Sequence, residues 1–216
     1  KSLEDKIIQL GPEHVIAFVA ETVVGSTLGA VTAVEGYFQK IREICDHYGI
    51  LLILDEVMCG MGRTGSLFAC TQENISPDII AIAKGLGAGY QPVGAMLCSN
   101  KIYAKISNGS GFFQHGHTYL AHPVACAAGF AVLSKIISSK LPERVKTVGE
   151  ILIKELNKKF SENPFVGDIR GRGLFLGIEF VKNKETKESF NPSLQFHKKL
   201  KAAAFNNGLL CYPMGG

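Results

Sequence analysis

Two apolar runs that end in charge set the strongest limit on this fold. Ile50-Leu-Leu-Ile-Leu54 is apolar at every position and stops at Asp55-Glu56, and Ile79-Ile-Ala-Ile-Ala83 stops at Lys84. A strand with one face in water alternates polar and apolar residues, so an unbroken apolar strand has to be covered on both faces, as in a parallel sheet between helices. Residues 15–20 (Val-Ile-Ala-Phe-Val-Ala) predict a further buried strand, and Val93-Gly-Ala-Met-Leu-Cys98 a fourth, after a glycine-rich turn. Between residues 20 and 50, Tyr37, Phe38, Ile41, Ile44, Cys45 and Tyr48 form a helical stripe, with Gly49 at the position of a helix-ending residue. This strand–helix–strand rhythm implies an α/β fold, a mostly parallel layered sheet with right-handed crossovers.

Beyond the sheet, Pro123 to about Lys140 predicts an Ala- and Gly-rich helix, and Pro142 interrupts the chain. Residues 143–160 read as an amphipathic helix. Phe165–Ile169 and Leu174–Val181 read as strands around Gly171-Arg-Gly173, residues 193–206 as a helix, and Leu209–Tyr212 as a short strand. A boundary near 140 is expected, with a larger α/β unit over 1–140 and a smaller α+β unit over 141–216.

Composition excludes several classes of function. Of 216 residues, 46% are hydrophobic and 19% charged, which supports a sizeable core rather than disorder. The net charge of +4 includes no run of five Lys or Arg, so charge-driven binding to nucleic acid or membrane is not expected. No apolar stretch approaches the roughly 20 residues of a membrane span. The six cysteines are irregularly spaced and form no C-x-x-C pair, the pattern of free buried thiols in a reducing compartment, so a cytoplasmic location is expected. The chain opens at Lys1 without an initiator Met and stops on the turn-like Tyr212-Pro-Met-Gly-Gly216, which leads us to expect a piece of something larger.

In parallel sheets, ligands bind beyond the carboxyl ends of the strands, which directs attention to Asp55 and Lys84. A free lysine is only about 0.04% neutral at pH 7. Desolvation at the mouth of an apolar strand disfavours the charge and makes a better amine nucleophile, and the glycines of Gly85-Leu-Gly87-Ala-Gly89 leave room for a flat ligand. Equally, Lys84 could be a snorkelling lysine beside a tight turn. Asp55-Glu56 could also be a Walker B strand end that holds Mg²⁺ for a nucleotide, but the chain has no Gly-Lys dipeptide for the matching phosphate loop. It could otherwise be a plain strand-end acid that caps the next turn. His115, His117 and His122 cluster across a glycine and a loop, a poor metal site, whereas Thr118 and Tyr119 precede the Pro123 helix and could hold a phosphate.

Three motifs then join in register. Leu52-Ile-Leu-Asp-Glu-Val-Met-Cys-Gly-Met-Gly-Arg-Thr-Gly65, Pro77-Asp-Ile-Ile-Ala-Ile-Ala-Lys-Gly-Leu-Gly-Ala-Gly-Tyr-Gln-Pro-Val-Gly-Ala95 and His115-Gly-His-Thr-Tyr-Leu-Ala-His-Pro-Val-Ala-Cys-Ala-Ala-Gly129 together resemble the class III pyridoxal-phosphate-dependent aminotransferases of fold type I. Lys84 lies 29 residues after Asp55 and 34 before Thr118, as in that family. The likeness covers essentially the whole chain. It implies the second half of the large cofactor-binding domain (1–140) and part of the C-terminal small domain (141–216).

By that resemblance, Lys84 corresponds to the lysine that forms the internal aldimine with pyridoxal 5'-phosphate and shuttles the substrate proton. Asp55 corresponds to the acid that pairs with the pyridine nitrogen. Val57 corresponds to a residue packed on a ring face, and Met58 stands where many members have a glutamine that touches the cofactor. Thr118 corresponds to the residue that reaches the partner's cofactor phosphate in a homodimer with a shared active site, and Glu21 to the family's pocket glutamate. Thr22 replaces the usual proline after that glutamate. The resemblance implies transfer of an amino group from an amine or amino acid to a 2-oxo acid. An aminomutase of the same family is the alternative, against which Gly62-Arg-Thr-Gly65 speaks, and a catalytically incomplete unit that only folds or dimerises is another. The family's second phosphate loop and ring-covering aromatic are expected upstream of Lys1, and its substrate-carboxylate arginine beyond Gly216.

Overall fold

The computed structural model describes residues 2–214. Helix α1 (Ser2–Leu10) leads into strand β1 (Ala17–Glu21), a short antiparallel pair of β2 (Val23–Val24) and β3 (Val31–Thr32), and helix α2 (Tyr37–Tyr48). Strands β4 (Leu51–Asp55), β5 (Ile79–Ile82) and β6 (Ala95–Cys98) follow, then helices α3 (Asn100–Asn108), α4 (Pro123–Ser138) and α5 (Leu141–Phe160). A hairpin of β7 (Val166–Arg172) and β8 (Phe175–Phe180) and helix α6 (Phe196–Asn206) come last.

The main sheet has the order β1-β4-β5-β6, with β1, β4 and β5 parallel. The fourth expected strand is the exception to the parallel pattern: β6 runs antiparallel to β5, with Ile79 opposite Cys98 and Ile82 opposite Ala95. A parallel crossover needs a dozen or more residues, usually a helix. The residues between Ile82 and Ala95 carry Gly85, Gly87, Gly89, Pro92 and Gly94 and form only one short turn of 3₁₀ helix at Lys84–Leu86, so the chain doubles back. Leu209–Tyr212 forms no strand; it is irregular, and Leu210 is 82% exposed.

One face of the sheet is closed. Phe38, Ile41, Ile44 and Cys45 of α2 pack with Ile7 of α1 onto Leu52 and Leu54 of β4, all buried. Gly49, at φ 68, ends α2 in the left-handed region and turns the chain straight into β4. An ion pair locks this layer: Arg42 of α2 meets Asp78 at 2.8 Å, and the same Asp78 oxygen accepts the Leu52 amide at 2.8 Å. Burial works against the Asp78 carboxylate, but the Leu52 amide and the Arg42 guanidinium outweigh it and hold it below the usual carboxylate range. The opposite face is covered less than the apolar runs imply: Leu51, Ile53 and Asp55 are half-buried, and Val19 is 62% exposed.

Helices α4 and α5 meet at 67°, with Lys140 between them in the left-handed region at φ 47. No single helix among the described residues is long and apolar enough to cross a membrane. The β7–β8 hairpin folds back onto the first part of the chain. Arg172 reaches Glu73 at 2.7 Å, and the Leu174 amide donates to the Arg63 carbonyl at 3.0 Å.

Candidate active site

Parallel register brings two acids side by side. Glu21 ends β1 opposite Asp55 at the end of β4, so their side chains share a face on neighbouring strands, roughly 4.8 Å apart along the sheet. Asp55 is in turn paired with Ala81 of β5, and Lys84 follows three residues later at the same carboxyl edge. The face that Glu21 and Asp55 share is the less covered one, which leaves room for a ligand.

Each side chain has a local reason for its place. The Val57 amide donates to Asp55 Oδ1 at 2.9 Å, which holds the carboxylate in a tight turn and leaves its second oxygen available. Glu21 Oε2 accepts the Gly25 amide at 2.6 Å. Met58 lies over that turn. A Cβ on Gly25 would stand 2.5 Å from Met58 Sδ and 3.0 Å from Glu21 Oε2, so glycine is what allows the thioether and the carboxylate to close on the same backbone. Lys84 has φ 45, a left-handed backbone that a non-glycine residue rarely adopts and that surrounding structure has to enforce. The desolvated setting expected for it is not built here, because Lys84 is exposed.

Thr118 stands apart. Residues 107–124 are exposed throughout, Thr118 among them. The rings of His115 and His117 meet edge-on at 5.1 Å, and among the described residues no three His, Cys, Asp or Glu side chains gather as metal ligands do. Two shallow hollows of about 330 and 340 Å³ lie at the end of α5 and along α6, and neither is lined by any of these site residues.

Sequence reasoning treated Glu56 only as a companion of Asp55, but it supports the site from behind. Glu56 is fully buried and accepts three hydrogen bonds: from Thr22 Oγ1 at 3.0 Å, the Ala69 amide at 2.6 Å and the Cys70 amide at 2.7 Å. It thereby ties the strand end carrying Asp55 to the loop after Glu21 and to residues 69–70. Thr22 supplies a hydroxyl where a proline could offer no donor. Burial, and then the charge of Glu56, push the Cys59 and Cys70 thiols up to about 12. In the Gly62–Gly65 turn, Thr64 is buried and donates to the Cys59 carbonyl at 3.1 Å, and Arg63 offers its carbonyl to the hairpin. The arginines on β7 were also passed over. Their signal was two arginines at alternate positions of β7, with Asp168 and Glu179 beside them on the hairpin.

A carboxylate with one free oxygen and a primary amine at one open sheet edge fit the ring nitrogen and aldehyde of a flat heteroaromatic cofactor. Thr118 offers an exposed hydroxyl that could meet a phosphate.

The profile of Aminotransferase class-III matches residues 1–216. A protein of Gibberella zeae called an aminotransferase is 50% identical over 212 residues, covering 98% of this chain and 42% of that protein. Gamma aminobutyrate transaminase 2 of Solanum lycopersicum is 44% identical over 194 residues, covering 88% of this chain and 42% of its own length. The crystal structure of an (S)-enantioselective omega-transaminase from Thermomicrobium roseum superposes with a TM-score of 0.94 at 40% identity, covering 98% of this chain and 47% of that one. The chain therefore spans a little less than half the length of these relatives.

Proposed function

This chain belongs to the class III aminotransferases, and from that premise we propose that, in a protein of its relatives' length, it provides the lysine and the acid for pyridoxal-phosphate-dependent transfer of an amino group to a 2-oxo acid. One observation carries the reading: Asp55 and Lys84 follow neighbouring parallel strands and emerge at one edge. When bound, the cofactor supplies an electrophilic aldehyde and an electron-withdrawing ring. Asp55 would face the ring nitrogen and favour its protonated form through its charge. Lys84 would hold the aldehyde carbon, and its amine would then carry the proton taken from the substrate Cα. Val57, fixed by its amide to Asp55, supports packing on one ring face, and the Met58 thioether lies beside Glu21 at the substrate side.

A homodimer with a shared site is part of the proposal. Thr118 sits in an exposed stretch that also presents Tyr119, 80% exposed, and Leu120, 63% exposed, surface suited to a partner subunit. The name of the tomato relative makes 4-aminobutyrate the first amino donor to try, with a 2-oxo acid as acceptor.

The test is spectroscopic and uses the full-length protein. A visible absorbance band should appear with the cofactor, and borohydride should abolish it and leave the reduced label on Lys84. Absence of the band, or a label elsewhere, overturns the proposal. Lys84→Ala should remove turnover. Asp55→Asn should keep the fold but lose most of the rate, and a near-normal rate there would remove Asp55 from the chemistry.

A further inference from the structure

Glu21 is held by a relay that begins 149 residues away, on the C-terminal hairpin. The Gly25 amide donates to Glu21 Oε2 at 2.6 Å, the Gly29 amide donates to the Gly25 carbonyl at 2.8 Å, and Arg170 Nε donates to the Gly29 carbonyl at 2.9 Å. Arg170 Nη2 also donates to the Leu28 carbonyl at 2.6 Å. The third arm of the guanidinium, Nη1, faces Asp168 at 3.0 Å and Glu179. Four hydrogen bonds from a rigid planar fork are thus spread over two backbone carbonyls and two carboxylates, an arrangement that lysine cannot reproduce.

The loop needs such a hold. Gly29 has φ 71, and Ala30, buried at 2% exposure, has φ 59, a left-handed conformation that costs alanine about 1–2 kcal/mol. Gly177 of β8 lets the hairpin close on this loop, since a Cβ there would stand 2.5 Å from the Gly29 carbonyl oxygen. Packing and charge-assisted hydrogen bonds therefore converge on the same two residues of the loop.

We propose that Arg170 is a positioning residue for the amino-donor pocket: through Gly29 and Gly25 it fixes where the Glu21 carboxylate points. The proposal rests on the reading of this chain as an aminotransferase with Glu21 in its substrate pocket. It adds that the hairpin sets how the donor is recognised, through a residue that touches neither substrate nor cofactor.

The experiment compares the full-length holoenzyme with Arg170→Lys, which keeps the charge opposite Asp168 and Glu179 but cannot span both carbonyls. Arg170→Met serves as a second variant. Amide hydrogen exchange is read first. Loss of a charge-assisted hydrogen bond should speed exchange at Gly25 and Gly29 about tenfold, with α2 amides unchanged. Kinetics with 4-aminobutyrate and with L-alanine, each with 2-oxoglutarate as acceptor, should then show KM for the donor raised about tenfold and kcat changed less than twofold. Glu21→Gln should raise the same KM, and adding Arg170→Lys to it should raise it no further. Unchanged exchange at Gly25 and Gly29 overturns the inference, as does a double variant whose KM effects multiply. A wild-type protein with no borohydride-sensitive band marks failure of the aminotransferase reading instead. The exchange measurement stands apart from that result because it needs no turnover.

Discussion

The segment from Glu21 to Cys70 and the segment from Ala95 to Phe130 have similar shares of apolar residues and opposite environments. In the first, Leu52, Leu54 and Phe38 are fully enclosed, and Glu56, also enclosed, has three donors aimed at it. In the second, every residue of β6 is exposed, Phe130 is 74% exposed, and Thr118 stands among eighteen consecutive exposed positions. Asp55 is thus held by its neighbours, whereas Thr118 lies on a surface that lacks a counterpart among the described residues. Similar apolar content can thus be enclosed in one region of a chain and left open in another.

The cysteines test this division most sharply. Cys45, Cys59 and Cys70 are buried in the first segment, while Cys98 and Cys126 are exposed in the second. With the Cys59 and Cys70 thiols pushed up to about 12, their thiolate fraction at pH 8 is about a thousandfold below that of an ordinary thiol. A disulfide reagent on the native 216-residue chain should therefore label Cys98 and Cys126 promptly and leave Cys59 and Cys70 until denaturant is added. Rapid labelling of Cys59 would erase the contrast.

Glu56→Ala comes next in size. It orphans the Thr22 hydroxyl and two buried amides, and at about 1–3 kcal/mol for each unsatisfied group a loss of about 4 kcal/mol in urea unfolding is expected. A loss below about 1 kcal/mol would mean that the three segments hold together without it.

The ion pair under α2 gives a smaller effect, visible as pH dependence. The folded-state value of Asp78 is depressed, so its stabilisation is complete above the unfolded carboxylate value of about 3.9 and is lost as pH falls through the folded value. Thermal melts should show this acid limb shrink in Asp78→Asn, and an unchanged limb would place the acid sensitivity elsewhere. The smallest effect belongs to the open side. Phe130→Ser should shift the unfolding midpoint of the 216-residue chain by less than about 0.5 kcal/mol, as exposed positions do, and a larger shift would show that side already packed.

Much of this could be read from the residues. The apolar runs before Asp55 and Lys84, the stripe from Phe38 to Cys45 and the stop at Gly49 depend on near neighbours in the chain, and β4, β5 and α2 appear where those patterns put them. The helix at Ser2–Leu10, the pair β2–β3 and helix α3 are not legible because they are short or weakly patterned, and the direction of β6 stays open in the sequence because an apolar strand does not declare which way its neighbour runs. Long-range partnership was least legible. Thr22 meets Glu56 across 34 positions, and Arg170 meets Gly29 across 141. Hydrophobic period and turn chemistry are local properties of a chain and specify which elements form. Hydrogen bonds between distant loops exist only once those elements have packed, so which acid is held, and by which arginine, is a property of the folded arrangement.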